Sequence, residues 1–560
     1  MITGPCTAET SPLSPESAYR VAAAALILLG SVLRVAAYAA GRPLWLDEAS
    51  LSLNIASRSP VGLTGVLDYN QAAPIPFLWG EWLVTRLAGV TEYSLRALPL
   101  AAGILLLMAF WPVARWVLGQ QEGIVATALA SISLPLIYYS GEVKQYGLDA
   151  LVTVLLLGLT VSVIRHARSA AAWRRLAVGG LLGLCISQPS IFVLAGVGTA
   201  LVAEPRVRAA PYWKARAAVA CGAWLSAFLL LYFVVYRQGL EDLYLRQYWE
   251  GTFLAPSAPN IVRRVLRAAR YALVEPVFRP ESPNWFAAGY ILCALFAVGV
   301  YAAASRHGAA VALLLTVPYG ALAAASALGK YPIAERLLLF LTPLLFIVYG
   351  AALVFLAKLL PRRARAAGFL ALVPLLLAWR AESVLDFVAK PPMTSGDSRA
   401  LISHVEHRNH GEPVYIYPEG VPLWIFYTTD WSTPDRGRLR WAARAQGSAS
   451  EKWGTQEHLL RDYRGRRELI GLPSGVEALA DVDLETVPDK PEPGWADGEV
   501  SRLLRAVGSG GAWLFVASAN DAELRELLAA VARMGWVVEY DLGQDGTRVY
   551  RLLRAPSVTH

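Results

Sequence analysis

Charge is scarce in this chain. Of 560 residues only 17% are Asp, Glu, Lys or Arg, while 55% are hydrophobic and the mean hydropathy is +0.41. A soluble globular domain carries roughly 25% charged residues. The deficit is local: long apolar runs alternate with short arginine-rich stretches. That pattern excludes an ordinary soluble fold and indicates a polytopic helical membrane protein. Cysteine is scarcer still. The four cysteines, Cys6, Cys185, Cys221 and Cys293, are too few and too scattered for a disulfide framework. The last three lie in or near apolar runs and read as small hydrophobes. Residues 1–18 contain no basic residue, so they lack the positive region of a cleavable leader, and the first apolar stretch reads as a retained span. The net charge of +8 and pI near 9.2 do not imply a nucleic-acid partner, because the arginines concentrate at the ends of apolar segments.

Helical spans need about 20 mostly apolar residues. Such runs fall near 19–39, 95–117, 123–140, 148–164, 176–187, 190–203, 217–236, 286–304, 309–328, 336–357 and 366–382. The pair 176–187 and 190–203 is short and interrupted by Ser187-Gln188-Pro189-Ser190, so it reads as a shallow hairpin or two tilted half-spans. Basic residues then set the sidedness. Arg165, Arg168, Arg174 and Arg175 share one loop, Arg206, Arg208, Lys214 and Arg216 another, Arg306 marks a turn, and Lys358, Arg362, Arg363 and Arg365 fill a fourth. The positive-inside tendency makes this face cytoplasmic. The reading is an all-α polytopic bundle spanning 19–382 with about eleven spans, a disordered cytoplasmic start at 1–18, and outer loops at 40–94 and 237–285.

Within the second outer loop, Arg263, Arg264, Arg267 and Arg270 recur at helical spacing opposite Val262, Leu266, Ala269 and Leu273. That is a basic amphipathic helix for the lipid interface. After about 383 the composition turns polar. Strands are expected at 413–417, 512–517, 535–540 and 548–553, a helix at 521–534 with a capping box from Asn520 to Glu523, a hairpin turn at Asp545-Gly546, and a loop over Pro488–Gly498. These make a small extracytoplasmic α/β domain within 383–560.

Polar residues converge on the outer face by topology alone. Asp47 and Glu48 are adjacent acids just beyond the first span. Tyr69-Asn70-Gln71 and Pro74 come later in the same loop. Tyr138 to Tyr146, with Glu142 and Lys144, joins two spans, and Lys330-Tyr331-Pro332 leads to Glu335-Arg336 at the start of another. Ionisable groups so close to a bilayer are costly unless the spot is wet and used. Carboxylates beside lysine and arginine suit a charged substrate anchored in lipid.

On these residues the chain resembles the polytopic glycosyltransferases that use polyprenyl-phosphate sugars, the GT-C type. It is most similar to the branch of protein O-mannosyltransferases, aminoarabinose transferases and Rgt-like enzymes. Leu44-Trp45-Leu46-Asp47-Glu48-Ala49 matches that branch's first-loop acidic motif. Gln71 to Pro74, Glu142-Val143-Lys144-Gln145-Tyr146 and Tyr331-Pro332 to Arg336 match later segments, with Lys144 standing where many members carry arginine. The resemblance implies transfer of a sugar from a polyprenyl-phosphate donor to an acceptor (a cell-wall glycan, a lipid or a protein) outside the plasma membrane. Asp47 is then the candidate general base, with Glu48 its rival. Lys144 and Arg336, with Tyr146 and Tyr331, are candidates to bind the donor phosphate. Glu142, Asn70 and Gln71 are candidates to orient the acceptor or a cation. A divalent Mg or Mn ion is compatible with the carboxylates, although no spacing motif requires one.

Two other classes compete. A transporter or flippase of a lipid-linked substrate would place broken helices and charges near the bilayer midplane, with internal pseudo-symmetry. The charges here sit at the outer edge and no internal repeat is visible. A non-catalytic envelope-assembly protein would put its working surface on the outer domain.

Overall fold

The computed structural model describes residues 15–236, 248–255, 260–277, 285–390, 396–445, 460–471, 494–507, 510–517, 521–544 and 546–554. Among the described residues eight helices are long and apolar enough to cross a membrane, or nine if a bent pair is one span. Helix α1 (Pro15–Ala39) leads into α2 (Leu46–Ser57) and α3 (Ile75–Ala88), which occupy the first outer loop. Then come α4 (Glu92–Leu118), α5 (Gln120–Ser131), α6 (Leu134–Tyr138) and α7 (Tyr146–Arg165). Helices α8 (Ala170–Ile186) and α9 (Ser190–Ala203) are the two short apolar runs, separated at Ser187–Pro189 as the proline there demands. Later apolar helices cover Trp213–Val235, Gly289–His307, Ala309–Ala327, Glu335–Leu359 and Arg362–Ala389.

The run read as one span over 123–140 is broken. Helices α5 and α6 meet at 57° around Ile132 and Ser133. A break inside an apolar bundle frees carbonyls that must find donors. Arg34 of α1 supplies them: its guanidinium donates to the carbonyls of Ala130 (3.2 Å) and Ser131 (3.4 Å). Elsewhere helices approach closely through small residues. A Cβ on Gly350 would meet the Glu122 carbonyl at 2.6 Å. The basic loops that the sequence assigns to one face do meet. Arg216 donates to the Ala167 and Arg168 carbonyls, and Glu122 pairs with Lys358 (3.1 Å) and Arg306 (3.5 Å).

After the last long helix the chain forms a six-stranded sheet of order β2-β3-β1-β4-β6-β5. The strands are β1 (Val414–Ile416), β2 (Leu460–Tyr463), β3 (Arg466–Ile470), β4 (Ala512–Ala517), β5 (Trp536–Gln544) and β6 (Thr547–Arg554). β1 lies parallel between β3 and β4, and the outer strands are antiparallel. Side chains alternate by strand period. Tyr415, Tyr417, Leu514 and Val516 pack with the helices Trp495–Val507 and Asp521–Arg533. Val414, Ile416, Trp513 and Phe515 face the other way, toward the helix Val421–Thr428.

Four of the expected elements appear: β1, β4, the helix from Asp521 and the β5–β6 hairpin. The loop expected through Gly498 is corrected. A helix already begins at Trp495, with Asp497 in its first turn favouring the helix dipole. The expected capping residue Asn520, the turn residue Asp545 and positions 488–493 lie outside the described residues.

A fully buried ion pair sits in the unit's core. Arg438 donates to both oxygens of Glu468 (3.1 and 2.8 Å), which also accepts from the Trp424 indole, and all three side chains are buried. Removing one partner strands the other charge. Glu468→Ala is expected to cost about 3–5 kcal/mol, and the double change Arg438→Met with Glu468→Leu clearly less. Thermal unfolding followed by tryptophan fluorescence checks the order.

Candidate active site

The two acids of the first loop open a helix. Asp47 and Glu48 stand in the first turn of α2, where acidic side chains favour the helix dipole. Glu48 accepts from the backbone N–H of Trp45 (3.3 Å), closing the helix start. Neighbouring residues on a helix point about 100° apart. Glu48 therefore turns inward while Asp47 turns toward the later loops.

Glu48 is buried and fully engaged. Arg96, one turn into α4, donates to its two oxygens at 2.9 and 2.6 Å, and the Val143 N–H donates to it at 2.9 Å. Arg96 also donates to the carbonyls of Arg42 (2.6 Å) and Pro43 (3.3 Å). The Glu48 oxygens thus accept from Arg96, Trp45 and Val143.

Asp47 meets the two cations singled out from the sequence. Its Oδ2 accepts from Arg336 at 2.8 Å and lies 3.8 Å from the Lys144 Nζ. Arg336 opens the 310 turn Glu335–Leu341, 289 positions further along the chain. Its guanidinium lies against the rings of Trp45 (5.5 Å) and Trp249 (5.3 Å), within cation–π reach. Lys144 also donates to Gln71 Oε1 at 2.7 Å. Tyr69 and Asn70 both take left-handed backbone angles just before Gln71, and this reversal turns Gln71 toward Lys144. Glu142 accepts from the Trp45 indole (3.2 Å), while its second oxygen is buried without a hydrogen-bond partner.

The remaining candidates divide. The Tyr146 hydroxyl lies within electrostatic reach of Arg336, Asp47 and Glu142. Tyr331 instead donates to the Leu337 carbonyl (3.2 Å) and packs edge-on against Phe192, so it braces the turn behind Arg336. Of the four interface arginines, Arg263 and Arg267 are exposed on the helix Ile261–Ala269. Arg264 is tied to the carbonyls of Glu250 and Phe253, and Arg270 pairs with Glu275 at 2.8 Å. These two are therefore held by protein groups, while Arg263 and Arg267 are left to face outward.

Sequence reasoning passed over Arg96 and Trp249, and took Trp45 only as part of the acidic motif. Arg96 was legible in principle: a charge one residue inside an apolar run calls for a partner. Trp249 carries no local signal.

Burial, with the Glu48 charge beside it, pushes the Glu142 carboxyl up to about 7, against the pull of Arg42, Lys144 and Arg336. Burial likewise draws the Lys144 ammonium down, while the Asp47 charge opposes it. A resident Mg or Mn ion would need several oxygen ligands together. Among the described residues no three His, Cys, Asp or Glu side chains converge, and Asp47 faces two cations.

No family profile matches the sequence, and no curated protein does. Solved structures do. ArnT from Cupriavidus metallidurans bound to undecaprenyl phosphate superimposes with a TM-score of 0.51 at 12% identity, over 96% of this chain and 98% of that one. Its apo state gives 0.52 at 13% over the same shares. The oligosaccharyltransferase AglB from Archaeoglobus fulgidus, with an inhibitory peptide and a dolichol-phosphate, gives 0.46 at 12%, over 94% and 74%, a looser match that carries no weight. At these identities the likeness is one of fold: the polytopic helical bundle with a C-terminal α/β unit read from the sequence is the fold observed, and ArnT shares it.

The raised Glu142 carboxyl makes stability pH-dependent. Between its ordinary value of 4.5 and about 7 the folded chain holds a proton that the unfolded chain has released. Its contribution is therefore full at the acid end and is lost as pH rises through about 7. The wild-type melting temperature is expected to fall across that window, and Glu142→Gln to flatten the slope.

Proposed function

We propose that this chain transfers a sugar from a polyprenyl-phosphate donor to an acceptor on the extracytoplasmic side of the plasma membrane. In this reading 19–382 is the transferase bundle and 383–560 an outer α/β domain. The observation that carries it is the meeting of Asp47, Lys144 and Arg336 at one point. The fold shared with ArnT, which was solved with undecaprenyl phosphate, supports the choice of donor.

The chemistry follows from the charges. A polyprenyl phosphate is an anion whose charge grows as the bond from the anomeric carbon to its oxygen breaks. Lys144 and Arg336 supply two positive charges where that oxygen would lie. Well-placed donors of this kind are typically worth about 3 kcal/mol each. Arg336 offers a planar fork for two phosphate oxygens, and the Trp45 and Trp249 rings fix its plane. When the phosphate takes over the cations, Asp47 is released from them. Its carboxylate then accepts the proton of the acceptor hydroxyl as that oxygen bonds to the anomeric carbon. The proton ends on Asp47 and the electron pair of the broken bond on the phosphate. Glu142, protonated below about pH 7, has an unpaired oxygen from which to donate a hydrogen bond to the donor. Gln71 holds Lys144 in place.

Asp47→Asn keeps the shape and removes the base. A positioned base contributes typically about 10²- to 10⁴-fold. Purified Asp47→Asn protein is expected to insert normally and to lose sugar transfer by roughly that factor. Mass spectrometry of products from a panel of polyprenyl-phosphate sugars reads the result. Undiminished transfer would remove this reading.

A further inference from the structure

The outer α/β unit touches the segment that carries Asp47, and does so through named groups. Tyr427, at the end of the helix Val421–Thr428, uses its hydroxyl twice. It donates to Glu92 Oε1 (2.5 Å) and accepts the backbone N–H of Leu44 (2.7 Å). Arg399, on the helix Ser398–Arg408, donates to Glu92 Oε2 (2.5 Å) and to the carbonyl of Gly41 (3.3 Å). Both oxygens of Glu92 are thus held from the outer unit, and both of its partners also grip the strand of chain between Gly41 and Leu44.

From the other side, Arg96, one turn beyond Glu92 on α4, holds the carbonyls of Arg42 and Pro43. The backbone is therefore anchored at four consecutive residues, 41 to 44, two of them from the outer unit. Gly41 has φ +57°, and a Cβ there would meet the Tyr93 hydroxyl at 2.5 Å, so this path tolerates no side chain at its first residue. The contact is also apolar. Leu44, Leu51, Leu53 and Ile55 share one buried cluster with Leu423 and Trp424. The segment so fixed runs directly into α2, whose first turn carries Asp47.

We infer that the outer α/β unit is a positioning element of the active site, with Tyr427 and Arg399 holding the segment that aims Asp47. Neither residue reaches the reacting atoms. They set where α2 starts, and so where its first-turn carboxylate stands relative to Lys144 and Arg336. A displacement of about 1 Å in such a group costs about a hundredfold in rate. The kinetic part of the inference rests on the transferase reading above, and the structural part does not.

The test uses the full-length protein in detergent or nanodiscs. Tyr427→Phe keeps the ring and removes the hydroxyl. Amide hydrogen exchange in the peptide covering 41–48 is expected to speed up about fivefold or more, with exchange in Thr342–Leu359 unchanged. The turnover number is expected to fall roughly ten- to a hundredfold while the KM for the polyprenyl-phosphate donor stays within about twofold. Arg399→Met serves as the second variant, because that side chain is 46% exposed and its loss leaves no large void. It is expected to move both readouts the same way. Unchanged exchange over 41–48 in both variants overturns the inference, as does faster exchange there with unchanged turnover. If the wild type transfers no sugar, the transferase reading fails, and the exchange measurement still decides whether the outer unit holds the loop.

Discussion

The buried pair between Glu48 and Arg96 organises everything around it. One acid of the Asp47-Glu48 dipeptide is held inside by Arg96, while the other turns outward to meet Lys144 and Arg336. With Arg96 across both of its oxygens, Glu48 starts α2, ties α2 to α4 and receives the Val143 N–H from the connection between α6 and α7. The desolvation of such a pair is costly, and its value lies in fixing one arrangement among several. Here the arrangement is a three-way junction, and Asp47 is carried on its outer side.

Asp47, Lys144 and Arg336 come from three separate outer segments that have no local reason to meet. What brings them together is charge in a partly buried place, where two cations without a counterion would repel. In this structure Asp47 supplies the counterion. In the proposed reaction the donor phosphate, whose charge grows as its bond to the sugar breaks, would replace it, and the carboxylate so released would serve as the base. Binding of the donor and activation of the acceptor are thereby one exchange of ion-pair partners.

The apolar helices were legible because bilayer thickness imposes a length that composition reveals. The meeting of Asp47, Lys144 and Arg336 was legible because charge beside an apolar run needs a reason. The division of labour between Asp47 and Glu48 was not, since it depends on Arg96, which hides within the first turn of α4. The bend between α5 and α6 had a local signal in Pro135, at the start of α6, that sequence reasoning passed over; the carbonyls it frees are satisfied by Arg34, a distant residue. β2 and β3 escaped notice because Leu460–Tyr463 and Arg466–Ile470 are rich in charge. Their strand character comes from pairing with each other and, for β3, with β1. The docking of Tyr427 and Arg399 on the first loop is a contact across more than 300 residues of chain, beyond any local pattern.

The central claim is that Asp47 and the donor phosphate compete for the same two cations. Calorimetric titration of purified wild-type and Asp47→Asn protein with a polyprenyl phosphate tests it most directly. The account predicts tighter phosphate binding by the Asn variant, since the competing carboxylate is gone. Weaker or equal binding would contradict it.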